Sequence, residues 1–113
     1  MGGPVEGTFI PVARLGDLDA RGRAVVLVEG RRVALVRVEG RVYALADTCP
    51  HRGGPLSEGD LEGDLLHCPL HAWPFDVRTG LCPERPGVRI PIYEVRVDGE
   101  QILVAASGSF PGR

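Results

Sequence analysis

The sequence predicts an all-β fold. Its apolar stock is mostly valine and leucine, and 16 glycines and 10 prolines punctuate the 113 residues, a mixture that favours strands joined by many turns. No segment keeps apolar residues at i, i+3, i+4 and i+7 through three helical turns. A chain of this length buries roughly two thirds of its unfolded surface around one core without disulfide staples. One domain is therefore expected over residues 1–113, with 1–7 and 108–113 as a loose leader and tail.

A first strand is expected from Thr8 to Val12. The following stretch VARLGDLDA is broken by Gly16 and offers at most one turn of helix. Then comes AVVLVEGRRVALVRVEGRVYAL, in which Gly30 and Gly40 can take the positive φ of tight hairpin turns. This predicts a meander of three strands, Ala24 to Glu29, Arg32 to Glu39 and Val42 to Ala46. A further Glu-Gly pair at 62 and 63 is expected to turn LLHC back toward the second Cys/His loop. Near the end, Asp98-Gly99 between alternating runs in YEVRVDGEQILVA is a hairpin signal.

The formal net charge is −2 and the arginines are spread along the chain, so no basic stripe is available to follow a nucleic-acid backbone. No apolar run approaches the roughly 18 residues that a membrane span needs, and MGGPVEG has neither a basic start nor an apolar middle. A cytoplasmic protein without nucleic-acid or membrane partners is expected. Three cysteines without a secretion signal argue against a disulfide framework and for metal or redox chemistry.

That chemistry has an address. DTCPHRGG and LHCPLHAW each hold one cysteine and one histidine close together: Cys49 and His51, then Cys68 and His71. The spacing is C-x-H followed by C-x-x-H, so any group bound there draws one thiolate and one imidazole from each of two loops. Proline after each cysteine helps to fix the bend. Four residues without a shared role, a structural zinc site, and an iron-sulfur cluster all compete as readings. Zinc sites more often pair like with like, C-x(2 to 4)-C and H-x(3 to 5)-H; in the third case two histidines replace two cysteines on one of two irons.

These residues resemble a Rieske 2Fe-2S protein. The resemblance runs from about Val33 to Val104 and includes PLSEGDLEGD between the motifs and WPFDVRTG after them. It implies a small sandwich or partly open barrel with two cluster-binding loops at one end. It also implies that Cys49 and Cys68 hold an inner iron and His51 and His71 an outer one, where the added electron sits. The outer imidazole edges would then be the port for electrons, and their ring protons would tie potential to pH.

Departures from the respiratory branch of that family narrow the expectation. There, a second cysteine in each loop forms a disulfide; this chain has Gly54 and Leu70 instead. Where that branch has a serine and a tyrosine that donate hydrogen bonds to cluster sulfurs, this chain has Trp73 and Phe75. A potential at the low end of the Rieske range, roughly −150 mV, is expected. The remaining resemblance is to soluble ferredoxins that carry electrons from a reductase to an aromatic-ring dioxygenase or related oxygenase. The small subunits of cytoplasmic NAD(P)H nitrite reductases are similar too. Either way the chain would be an electron carrier rather than an enzyme, and flavin or nicotinamide would belong to a partner. A zinc-stabilised interaction module is the alternative of a different class. Ala72 stands where the family usually has glycine, which matters if that position needs a positive φ.

Other residues near the motifs have blander roles to weigh. Cys82 is expected to be a bystander thiol, and His67 a surface histidine pointing away from Cys68. Trp73 and Phe75 are expected to fill the core beneath the loops. Gly53 and Gly54 are expected to let backbone N–H groups approach the cluster sulfides. Glu58, Asp60, Glu62 and Asp64 are expected to be a solvated hairpin rather than a docking patch.

Overall fold

Strand β3 (Arg31–Val38) reads RRVALVRV, and its four consecutive residues 33 to 36 are all buried. A run without alternation is what a strand covered on both faces requires. In this computed structural model, which describes residues 8–50, 53–70 and 72–106, β3 lies inside a sheet of order β2-β3-β4-β8, with β2 at Arg23–Val28, β4 at Arg41–Ala46 and β8 at Ile92–Tyr93. On one face Val33, Leu35, Val42, Ala44 and Tyr93 pack with Ile102 and Val104. On the other, Ala34, Val36, Val38 and Leu45 pack with Leu56, Leu66, Phe75, Val77 and the three cysteines.

The covering layers are themselves sheets. Strands β1 (Phe9–Arg14), β9 (Val95–Asp98) and β10 (Gln101–Ala105) form one of order β1-β10-β9. Pro11 sits on its edge strand, where a missing N–H costs no ladder bond. Short strands β5 (Leu61–Glu62), β6 (Leu65–His67) and β7 (Pro74–Asp76) form the other, of order β5-β6-β7. All pairings within these sheets are antiparallel. The all-β expectation holds, and none of these sheets closes on itself; the architecture is a layered sandwich and not a barrel.

The meander turns as its Glu-Gly pairs predict. Glu29 and Gly30 take φ of 54° and 80°, and Glu39 and Gly40 take 50° and 83°, the doubly left-handed backbone of type I′ hairpins. The last hairpin differs by one residue from the expected register. Asp98 pairs with Gln101, so the loop is Gly99-Glu100, and only Gly99 needs the positive φ, 62°. Gly63 plays the same part after Glu62, which pairs with Leu65. The expected first strand continues to Arg14. The expected helical turn is a 3-10 turn at Leu15–Asp17, started by an Arg14 N–H that donates to Asp17 Oδ2 at 2.9 Å, and a second 3-10 turn spans Leu56–Glu58. The expected leader and tail, 1–7 and 108–113, lie outside the described residues.

Candidate metal centre

The two Cys/His motifs fold into twin loops. In the first, the Cys49 N–H donates to Gly54 O at 2.9 Å and the Gly53 N–H to Cys49 O at 2.7 Å. In the second, the Cys68 N–H donates to Trp73 O at 2.9 Å and the Ala72 N–H to Cys68 O at 2.7 Å. The same two bonds, five and four residues apart, close both loops. Gly53 and Ala72 therefore occupy equivalent places, and both are left-handed, with φ of 74° and 60°. The positive φ that made Ala72 a concern is present.

Both ligand-type cysteines are buried, Cys49 at 1% and Cys68 at 2% exposure, and none of the three cysteines is in a disulfide. The loops face one another. A Cβ added at Gly54 would sit 2.9 Å from Leu70 Cγ and 3.4 Å from Cys68 Sγ, so the positions that carry the disulfide in the respiratory branch are in contact here through packing. Two buried thiols brought together without bonding to each other suit a soft metal centre, and the cradle at Gly54 is space that any side chain would fill. His51 and His71, the other half of the expected ligand set, lie outside the described residues. The Gly53 N–H is used within its own loop.

Buried charge ties the loops to the central sheet. Asp47, two residues before Cys49 and 1% exposed, accepts the Ser57 N–H at 2.7 Å and Arg32 Nη2 at 3.1 Å. Its own carbonyl accepts the Leu56 N–H at 2.7 Å. From the edge strand β2, Arg23 donates through Nη1 to Ser57 O at 2.8 Å and Gly59 O at 2.9 Å. Burial lowers the pKa of this guanidinium without threatening its charge at neutral pH. Gly59 in turn lies against the carbonyl of His67, the residue before Cys68. One polar network thus reaches both loops, and no motif in the sequence announces it. An arginine opening an apolar strand and an acid just ahead of a cysteine were the visible signs.

His67 corrects an expectation. Its side chain is 25% exposed rather than a surface group, and Nδ1 lies 3.2 Å from Ala72 O across the second loop. Phe75 is fully buried in the core under the loops, and Trp73 packs at its edge with Arg85 4.0 Å over its ring. Cys82 is 3% exposed within the same apolar cluster. Of the four acids, Glu58 lies 3.9 Å from Arg21, Glu62 3.4 Å from His67 and Asp64 3.5 Å from Arg78. Their basic neighbours favour the solvated-hairpin reading.

After β7 the chain turns around Asp76, whose Oδ1 accepts the Arg78 N–H and Nε at 2.8 and 3.1 Å while Oδ2 accepts Nη2 at 2.9 Å. Partial burial pushes the Asp76 pKa up, but these bonds together outweigh it and hold the carboxyl below its usual value. A carboxyl with a depressed folded pKa adds stability above its unfolded value of about 3.9, and that stability fades as pH falls through the lower folded value. Between pH 6 and 3, Asp76→Asn is therefore expected to lose less stability than the parent, as urea midpoints will show. Parallel losses in the two proteins would refute it.

Comparison with known proteins places these features together. A family model described as the Rieske 2Fe-2S domain matches residues 8–97. The ferredoxin component of the naphthalene 1,2-dioxygenase system of Pseudomonas putida is 39% identical over 88% of this chain and 96% of its own. A chain from the complex of reduced oxygenase and oxidized ferredoxin in carbazole 1,9a-dioxygenase superposes with a TM-score of 0.78 at 32% identity, over 90% of this chain and 96% of that one. A nitrite reductase NADPH small-subunit structure superposes with a TM-score of 0.77 at 31% identity, over 86% and 97%.

Proposed function

Because the chain belongs to the Rieske 2Fe-2S family, we propose that it is a one-electron carrier, a ferredoxin that takes electrons from a reductase and delivers them to a terminal oxygenase. The observation that carries the reading is the pair of twin loops, which bring two buried thiols into one cluster against the central sheet. Cys49 and Cys68 are the thiolate ligands, and His51 and His71 the imidazole ligands. When bound, the cluster supplies a one-electron couple at a higher potential than an all-cysteine cluster has.

The chain's own residues do the rest. Burial of both thiols keeps water from the sulfur ligands, and the Asp47 and Arg23 network holds the loop bases against the central sheet. Phe75 has no hydroxyl to donate and lies fully buried beside the cysteines, which supports a potential near the low end, roughly −150 mV. The whole of 1–113 acts as a single domain. Three cysteines without a disulfide suit the reducing cytoplasm.

The test is an electron paramagnetic resonance spectrum of dithionite-reduced, anaerobically purified protein, with iron and sulfide assayed on the same sample. Two irons and two sulfides per chain, with a rhombic signal of lower average g than all-cysteine ferredoxins give, are expected. A silent sample with zinc and no sulfide would sink the carrier and make the same ligands a structural clasp. The likeness to a nitrite reductase small subunit supports a second reading. A purified reductase and oxygenase pair, assayed with and without this protein, separates the two.

A further inference from the structure

The twin loops are not equally easy to fold. Both need a left-handed residue at the place before they close, and the first meets the need with Gly53. The second uses Ala72, whose Cβ crowds the following carbonyl oxygen in that conformation. A contact specific to the second loop would offset that cost.

His67 is placed to do so. Its backbone is held from both sides, the N–H donating to Asp60 O at 2.8 Å and the carbonyl lying against Gly59. From that position the ring spans the base of the loop and puts Nδ1 3.2 Å from Ala72 O. A carbonyl oxygen can only accept, so Nδ1 carries the proton. The opposite nitrogen has no such partner. Glu62 Oε1 lies 3.4 Å from Nε2, close enough for an ion pair with a protonated ring, yet Nε2 makes no hydrogen bond among the described residues. The Glu62 side chain is 82% exposed, and such contacts contribute little. The contact to Ala72 is the one that counts.

We propose that His67 is a positioning residue of the second loop: its Nδ1–H pins the Ala72 carbonyl, so that alanine keeps the left-handed backbone the first loop assigns to glycine. Ala72 adjoins His71 and its N–H closes the ring on Cys68, so the pin sets how firmly the second pair of ligands is presented. The link to ligand presentation rests on the electron-carrier reading. The pin itself does not.

The experiment is a double-mutant cycle. His67→Ala, His67→Asn and His67→Gln are each made in the parent and in Ala72→Gly, and read by the rate at which bathophenanthroline strips iron from the reduced protein. Losing His67 in the parent is expected to speed stripping about fivefold, the worth of one net hydrogen bond. In Ala72→Gly the same change is expected to matter less than about twofold, within the usual error of additivity. Asn places an amide N–H near the position of Nδ1 and should restore the parent rate; Gln reaches toward the position of Nε2 and should not. Equal effects in both backgrounds, or rescue by Gln alone, would overturn the pin. Urea midpoints of the same variants carry the same coupling whatever metal is present. A parent without iron would sink the carrier reading, and His67 would then stand or fall on that coupling alone.

Discussion

Adding one methyl group at Gly59 is expected to destabilise the protein by roughly 3 kcal/mol or more, at the upper end of what overpacking costs. The backbone there is ordinary, with φ of −81°, so alanine suffers no conformational penalty. The cost is purely one of space. A Cβ at Gly59 would overlap the His67 carbonyl and come within 3.4 Å of Leu56 O, and backbone atoms cannot swing aside as a flexible side chain can. Relief would require the segment carrying Ser57 to lift, which would break the two Arg23 bonds to Ser57 O and Gly59 O, or require β6 to retreat with Cys68 behind it. Gly16→Ala is the control, since nothing lies within 4 Å of its added Cβ. A melting temperature on the order of 10 °C lower for Gly59→Ala and nearly unchanged for Gly16→Ala is the expected pair of results. Equal melting temperatures would mean that the two loops are not braced through this contact.

Asp47→Ala should cost about 2–4 kcal/mol, the range for removing one partner from a buried charged hydrogen bond. The Ser57 N–H, in a residue 4% exposed, loses an acceptor at 2.7 Å that water cannot readily replace. Arg32 loses less, because its side chain is 59% exposed and turns to solvent. Asp47→Asn keeps an oxygen for Ser57 and gives up only the charge, so it is expected to recover about half of the loss. Hydrogen exchange locates the effect: the Ser57 amide should exchange faster in the alanine variant and remain protected in the asparagine one. If its protection is the same in all three proteins, Asp47 is not what holds this segment.

The sequence made the tight hairpins and the two cysteine loops legible for the same reason, that both depend on local chemistry. Glu-Gly at 29–30 and 39–40 set two turns within four residues each, and C-x-H with C-x-x-H set a donor group that few other purposes explain. The unbroken run Val33 to Val36 marks burial on both faces, a sign the strand prediction did not use. What did not show was anything that depends on distance along the chain. The third sheet rests on strands of two and three residues, too short for alternation to register. Arg23 reaches Ser57 and Asp47 reaches the same residue from the other side, and neither separation has a spacing rule. His67 failed as a surface histidine because a strand's alternation fixes which face a side chain leaves from, not whether a loop five residues on folds back to meet it.

The first and last strands are hydrogen-bonded neighbours, with Phe9 opposite Ala105, in the sheet that covers the face of the central layer away from the cysteines. Tension applied to the two ends would peel β1 from β10 one rung at a time, a zipper geometry, and that load would stay in the outer sheet. The fold thereby separates where the molecule can be handled from where it must hold still.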